Sequence, residues 1–249
     1  MSVGHPAADD GSIQSGVSLL VNGAGRLAHG PIANGITKTV EYAGSETLAD
    51  AERADTETGH RKRVALAIAK RAVDVALSLV GLVVATPMVA VFAALIRLDS
   101  KGAVFYRQTR VGRSGRPFEL VKLRTMYEGE GARATRVGCV LRPMGLDELP
   151  QFWNVLRGEM SIVGPRPERP HLVAKYETEL PGYAGRHMVR PGITGWAQIH
   201  GLRGRAGSIA ERLRFDLEYV RGWNLARDFR ILAQTVTAVW RDTRRELRL

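Results

Sequence analysis

The sequence predicts an α+β, mainly helical fold: a re-entrant membrane helix hairpin joined to a small cytoplasmic domain with a β-hairpin and interfacial amphipathic helices. Three observations predict it. Residues 75–96 form a run of 22 residues without a charge, interrupted by Thr86-Pro87. Residues 104–106 and 118–123 are rich in β-formers and flank the turn residues Gly112-Arg113-Ser114-Gly115. The later segments repeat apolar residues at helical spacing, and the last of them is strongly basic. The corresponding boundaries are an acidic disordered tail at 1–62, a membrane-anchoring re-entrant helix at 63–102 and the main domain at 103–249.

The tail is low in aromatic residues and rich in Gly, Ala, Ser, Thr and acids, a composition unable to bury a core. Residues 1–59 hold eight acids against three bases, so of the chain's net +11 the remainder carries +16. A basic body calls for an anionic partner: nucleic acid, an anionic membrane or a phosphorylated substrate. The single Cys139 excludes an internal disulfide and suits a reducing compartment.

Residues 75–96 would cover roughly 33 Å as a helix, enough for a hydrocarbon core of about 30 Å. Pro87 removes a backbone hydrogen bond, and Thr86 can bond back to a carbonyl, so a kink is expected there. Both flanks are basic: Arg61 to Arg63, Lys70 and Arg71 before, then Arg97, Lys101 and the arginines to Arg116 after. Positive flanks prefer the cytoplasmic side, so the segment should enter and return, broken at Thr86 and Pro87. A simple span is the alternative.

The β-hairpin carries Arg107, Arg110, Arg113 and Arg116, either solvated or set against anionic lipid. A glycine-rich loop at 128–138 leads to Arg142-Pro143-Met144-Gly145-Leu146-Asp147-Glu148-Leu149-Pro150-Gln151. Asp147 stands where a helix N-cap would be, with Pro150 in the first turn and Leu149, Phe152, Trp153 and Leu156 as the apolar face. Two readings stay open: an ordinary helix start, or a turn that holds carboxylates beside a phosphate.

Further on, a short strand precedes Pro165-Arg166-Pro167. Proline on both sides restricts the backbone of Arg166, which suits bidentate phosphate recognition as well as a plain solvated turn. Residues 170–180 form a helix stopped by Pro181-Gly182. Residues 190–198 are a tight non-helical stretch whose glycines imply close backbone approach. Ser208 opens a helix with Glu211 at the capping-box position, and Asp216 on it calls for a basic partner such as Lys70. The last helix, from about Asp228, sets Leu232, Val236, Val239 and Trp240 on one face and ends in arginines, a pattern of membrane-surface helices and of basic core helices alike.

No nucleic-acid motif or P-loop glycine pattern is present, so neither a nucleic-acid partner nor an NTPase is expected. A membrane-docked enzyme handling phosphates fits better. A carboxylate beside Mg²⁺ and arginines can attack phosphorus, and Mg²⁺ takes one or two carboxylates plus phosphate oxygens.

Six ordered blocks carry a family resemblance: Lys70-Arg71 with Asp74 and Thr86-Pro87; Arg110-Val111-Gly112-Arg113 through Lys122-Leu123-Arg124-Thr125-Met126; Leu146-Asp147-Glu148-Leu149-Pro150-Gln151 through Gly158-Glu159-Met160-Ser161; Val163-Gly164-Pro165-Arg166-Pro167; Pro191-Gly192-Ile193-Thr194-Gly195-Trp196; and Asp216-Leu217-Glu218-Tyr219. In these blocks the chain resembles the bacterial sugar transferases, monotopic polyprenyl-phosphate phosphoglycosyl transferases that initiate exopolysaccharide and glycan assembly. The resemblance implies transfer of a phosphosugar from a UDP-sugar to undecaprenyl phosphate, with Mg²⁺ and release of UMP, at the cytoplasmic face of the bacterial inner membrane. It assigns Asp147 as nucleophile and metal ligand, Glu148 as its acidic partner, and Arg142 and Arg166 as phosphate-binding residues. Thr86-Pro87 stands where the family has Ser-Pro. Gly131-Ala132-Arg133 and Pro143 depart from the family pattern, which leaves sugar specificity open. A homo-oligomer is left open too, as is a non-catalytic scaffold of a polysaccharide assembly complex.

Overall fold

The computed structural model describes residues 45–128, 133–202 and 207–247. Most of the expected tail therefore lies outside the described residues. Helix α1, Ser45–Asp99, begins inside the segment assigned to that tail. Before Gly59 this stretch has neither Gly nor Pro, so nothing in it stops a helix.

The helix hairpin expected at Thr86 and Pro87 is not formed as two separate helices. α1 is continuous through both residues. Proline removes a single backbone bond, and the flanking turns carry the helix across. Thr86 does bond back, its hydroxyl donating to the Leu82 carbonyl at 2.6 Å.

From Lys70 to Asp99, one face of α1 packs on the rest of the chain, before, within and after its apolar run. Arg71 donates to the Val155 and Leu156 carbonyls (2.6 and 2.8 Å). Asp74 accepts from the Ser161 hydroxyl and the Ile162 N–H, both at 3.0 Å. Gly81 lies so close to the Phe152 ring that a Cβ would sit 2.8 Å from it. Beyond Pro87, Ile96 joins Leu123 and Leu141 in a small core, and Asp99 accepts the Val137 N–H at 3.0 Å. The opposite face is apolar and bare, with Ile68, Val80, Val83, Val84, Val91 and Leu98 exposed.

The expected hairpin pairs β1, Phe105–Val111, antiparallel to β2, Pro117–Leu123, with Phe105 opposite Leu123. Its turn is tight: Ser114 and Gly115 both take positive φ. Part of the expected glycine-rich loop is instead helix α2, Arg136–Leu141, capped by the Thr135 hydroxyl, which accepts from Gly138 N. Helix α3, Gln151–Leu156, follows. Its inward residues are Gln151, Asn154 and Val155, whereas Trp153, placed on its apolar face by spacing, is exposed. Six residues are too few to define a helical stripe.

Strand β3, Ser161–Val163, pairs in parallel with β4, Gly192–Thr194. The glycines here serve a neighbouring segment: a Cβ on Gly192 would meet Gly164 N at 2.1 Å. Between them runs α4, Pro170–Glu179. The four-residue α5, Trp196–Ile199, turns the stretch after β4 helical, in contrast to the expectation. Then come α6, Ile209–Arg221, with the Ser208 hydroxyl accepting from Glu211 N, and α7, Leu225–Leu247.

The main core joins Phe118 and Leu120 of the hairpin to Val155, Met160, Ile162, Tyr219 and Ile231. Helix α7 has two apolar faces. Leu232 and Val239 turn inward with Ile231 and Ala238, whereas Phe229, Val236 and Trp240 are exposed. The single stripe expected from spacing is thus split between core and surface.

Candidate active site

Asp147 and Glu148 sit in a 3₁₀ turn, Leu146–Glu148, not at a helix N-cap. Gly145 precedes it with φ 68°, a conformation glycine adopts without a Cβ clash. Pro150 in turn precedes α3, within one continuous series of tight turns. Both carboxylates are buried, at 5% and 7% exposure, and they differ in what they touch.

Glu148 accepts a two-pronged bond from Arg166, at 3.2 and 2.5 Å. The Glu148 charge strengthens the hold of Arg166 on its proton. Arg166 is therefore oriented by a carboxylate rather than left to solvent. Its backbone is also fixed: Arg186 donates to the Arg166 carbonyl (2.8 Å), and Arg110 to that of Pro167 (2.9 Å). Arg186 is buried and forked onto Asp216 at 3.0 and 2.7 Å. The partner of Asp216 is thus Arg186, not Lys70. Lys70 lies between Asp74 (3.1 Å) and Asp228 (2.9 Å), because α1 passes β3 and α7 on that side.

Asp147 accepts no hydrogen bond among the described residues. Its nearest cation is Lys122 of β2, with Nζ 3.9 Å from Oδ2. That separation is too long to offset burial. Burial, with the Glu148 charge, pushes the Asp147 pKa up to about 6, against the opposing pull of Lys122, Arg166 and Arg142. Burial likewise lowers the pKa of Lys122, the Asp147 charge only partly restoring it. If Asp147 acts as a nucleophile, the expected outcome is a reaction rate that rises with pH through about 6, as Asp147 loses its proton. Lys122→Met should move this acid limb to higher pH, which a pH profile of kcat/KM would check; an unmoved limb would assign it to another group.

Arg142 is exposed and stands at the end of α2. It lines a cleft of about 400 Å³ with Tyr106, Lys122, Arg124, Tyr127 and Arg169. Lys122 thus faces both Asp147 and this cleft. On the other side of the pair, Glu148 borders a smaller, largely apolar cavity of about 130 Å³ with Leu149, Phe152, Ile193 and Val239. Of the residues expected from sequence, Asp147, Glu148, Arg142 and Arg166 are brought together. Thr86 and Pro87 remain in the interior of α1.

Sequence reasoning missed Lys122, Arg110 and Arg169. Only the folded hairpin places the first two, its register setting Tyr106 opposite Lys122 and Arg110 opposite Phe118. Among the described residues no group of three or more His, Cys, Asp or Glu could hold a metal by itself. The unengaged Asp147 carboxylate nevertheless fits Mg²⁺, which needs only one or two protein carboxylates beside phosphate oxygens.

A buried carboxylate pair beside a cation-lined cleft, with a helix bare and apolar on one face, is an arrangement suited to handling phosphate groups. The chain belongs to the bacterial sugar transferase family, whose model matches residues 65–242, and with it to the phosphoglycosyl transferases. It is 40% identical over 195 residues to the UDP-glucose:undecaprenyl-phosphate glucose-1-phosphate transferase of Caulobacter vibrioides, covering 73% of each chain. It is 44% identical over 184 residues to the Escherichia coli protein of the same name, covering 67% of this chain and 39% of that one. Against the UDP-N-acetylgalactosamine-undecaprenyl-phosphate N-acetylgalactosaminephosphotransferase of Aeromonas hydrophila it is 39% identical over 185 residues, covering 70% and 44%. The chain therefore spans less than half the length of the latter two relatives.

Proposed function

We propose that this chain transfers a sugar 1-phosphate from a UDP-sugar to undecaprenyl phosphate and releases UMP, through an aspartyl-phosphosugar intermediate. The single observation that carries this reading is Asp147: buried, unengaged, and next to a cation-lined cleft. In the first step an Asp147 oxygen attacks the phosphorus bearing the sugar. A carboxyl–phosphorus bond forms, the diphosphate P–O bond breaks, and UMP leaves with the bridging oxygen. In the second, a phosphate oxygen of the lipid attacks the same phosphorus, regenerating the Asp147 carboxylate and forming a diphosphate link. Lys122, Arg142 and Arg169 offset the phosphate charge in the cleft, where Tyr106 and Tyr127 offer faces for a base. Glu148 holds Arg166 in place, and its charge keeps Asp147 from becoming too weak a nucleophile. Asp147 would hold Mg²⁺, which supplies neutralisation of the diphosphate charge. UMP release from a panel of UDP-sugars, with and without polyprenyl phosphate and Mg²⁺, tests the reading. Release that is independent of the lipid across successive turnovers would overturn it.

The same proposal places α1 in one leaflet. A helix fastened to one domain both before and after its apolar run, at Arg71 and at Asp99, cannot deliver those points to opposite sides of a bilayer. Cysteines introduced at positions 64 and 100 should therefore be labelled from the same, cytoplasmic side; labelling from opposite sides would restore the simple span.

A further inference from the structure

The arginines of this chain are not all accounted for by the reaction. Arg110 and Arg166 are built into the site, and Arg107 is paired with Glu119 at 3.1 Å. Arg113, at the hairpin tip, makes neither an ion pair nor a side-chain hydrogen bond among the described residues. It lines a cleft of about 210 Å³ with Arg190, Lys70, Ser161 and Trp223. Arg190 reaches only a backbone carbonyl, that of Gly158, at 2.9 Å. Arg71, close enough to act electrostatically on Arg190, likewise bonds only to carbonyls. The carboxylate on the cleft wall, Asp74, is held by Lys70, which is shared with Asp228. Arg190 thus feels both Arg71 and Arg113, against the single carboxylate of Asp74, and among the described residues none of the three guanidinium groups has an ion pair of its own. Burial of Arg190, with the repulsion of Arg71 and Arg113, lowers its pKa against the pull of Asp74.

The depth of the cleft says what meets it. Its wall includes Ala67 and Lys70 of α1, the turns just before the apolar run, and Met188, exposed at 67%, stands at its edge. Positive charge in excess of its carboxylates, at the level where a bilayer would carry its phosphates, is the chemistry of an anion site. We infer that Arg113 and Arg190 form a binding site for the phosphate headgroup of an anionic phospholipid, separate from Asp147. The inference rests on α1 lying in the membrane, but not on the transfer reaction.

The test is titration of the detergent-purified full chain with dihexanoyl phosphatidylglycerol, dihexanoyl phosphatidylcholine or inorganic phosphate, followed by calorimetry and by Trp223 fluorescence. Saturable binding of the glycerol lipid is expected, with affinity about five-fold or more lower in Arg113→Gln, since a basic residue beside an anionic surface contributes about 1 kcal/mol. Arg113→Lys should lose part of it. Arg116→Gln removes an equal charge from the same turn but not from the cleft, and should lose little. Equal losses in Arg113→Gln and Arg116→Gln would reduce the effect to general attraction and overturn the site. Equal binding of the two lipids would overturn it as well. Inorganic phosphate binding as tightly as the glycerol lipid would assign the site to free phosphate and remove the lipid.

Discussion

Asp147→Asn is expected to abolish transfer and to stabilise the protein at the same time. An amide cannot form the acyl phosphate, so turnover should fall by about a thousand-fold or more, the scale on which loss of a covalent nucleophile acts. No radiolabelled phosphosugar adduct should accumulate. The stability gain follows from burial. The Asp147 pKa in the folded chain is raised from the ordinary 3.8 to about 6, so the folded state prefers the proton. Ionisation therefore costs stability, fully above pH 6, and the cost fades as the pH falls toward 3.8. About two pKa units at 1.36 kcal/mol each put the cost at about 3 kcal/mol near neutral pH. The asparagine variant should accordingly melt several degrees higher at pH 7.5, with the difference shrinking at pH 4.5. An adduct on that variant would remove Asp147 as nucleophile. A lower Tm would mean that the carboxylate is supported by the fold rather than strained by it.

Asp216→Ala should have the largest effect on stability. It would leave the Arg186 guanidinium, 2% exposed, without its carboxylate. Breaking one side of such a pair costs about 3–5 kcal/mol, a large share of the 5–15 kcal/mol that holds a typical domain. The damage would reach the site, because Arg186 also holds the Arg166 carbonyl. Thermal melting of the purified variant measures the first effect. The double variant Arg186→Met with Asp216→Leu separates the two. It should recover much of the stability, since no charge is left buried, while activity stays low because the Arg166 carbonyl has lost its donor. Full activity in the double variant would show that Arg166 needs no such support.

The elements legible in the sequence were those specified by neighbouring residues. Ser208 with Glu211, Pro181-Gly182 after α4, and the turn between β1 and β2 each act within a few positions. Pro165-Arg166-Pro167 marked a fixed arginine correctly, but nothing local named Glu148 as its partner. Gly145, whose positive φ precedes the Asp147 turn, makes a 3₁₀ turn where a capped helix was expected. Helix α2 was hidden because Gly138, an unfavourable helical residue, is needed there: a Cβ would meet the Thr125 carbonyl at 2.1 Å. Lys122 reads as an ordinary solvent-facing lysine until its strand is folded over the carboxylates. The Arg186 to Asp216 link spans 30 residues and no spacing rule reaches it. Local chemistry thus announced the turns and caps, while the pairing of charges across the site had to await the fold.

The attachment of α1 on either side of its apolar run has a mechanical side. Placed in a single leaflet as proposed, the helix would add cross-sectional area to one monolayer and none to the other. A wedge of this kind is accommodated most easily where that monolayer is already stretched, since interfacial insertion is sensitive to curvature. The bare row of Val80, Val83, Val84 and Val91 would fill packing gaps between acyl chains in such a region. The protein would then gather where the bilayer bends outward on its own side, and its lipid product would be released into that same strained monolayer.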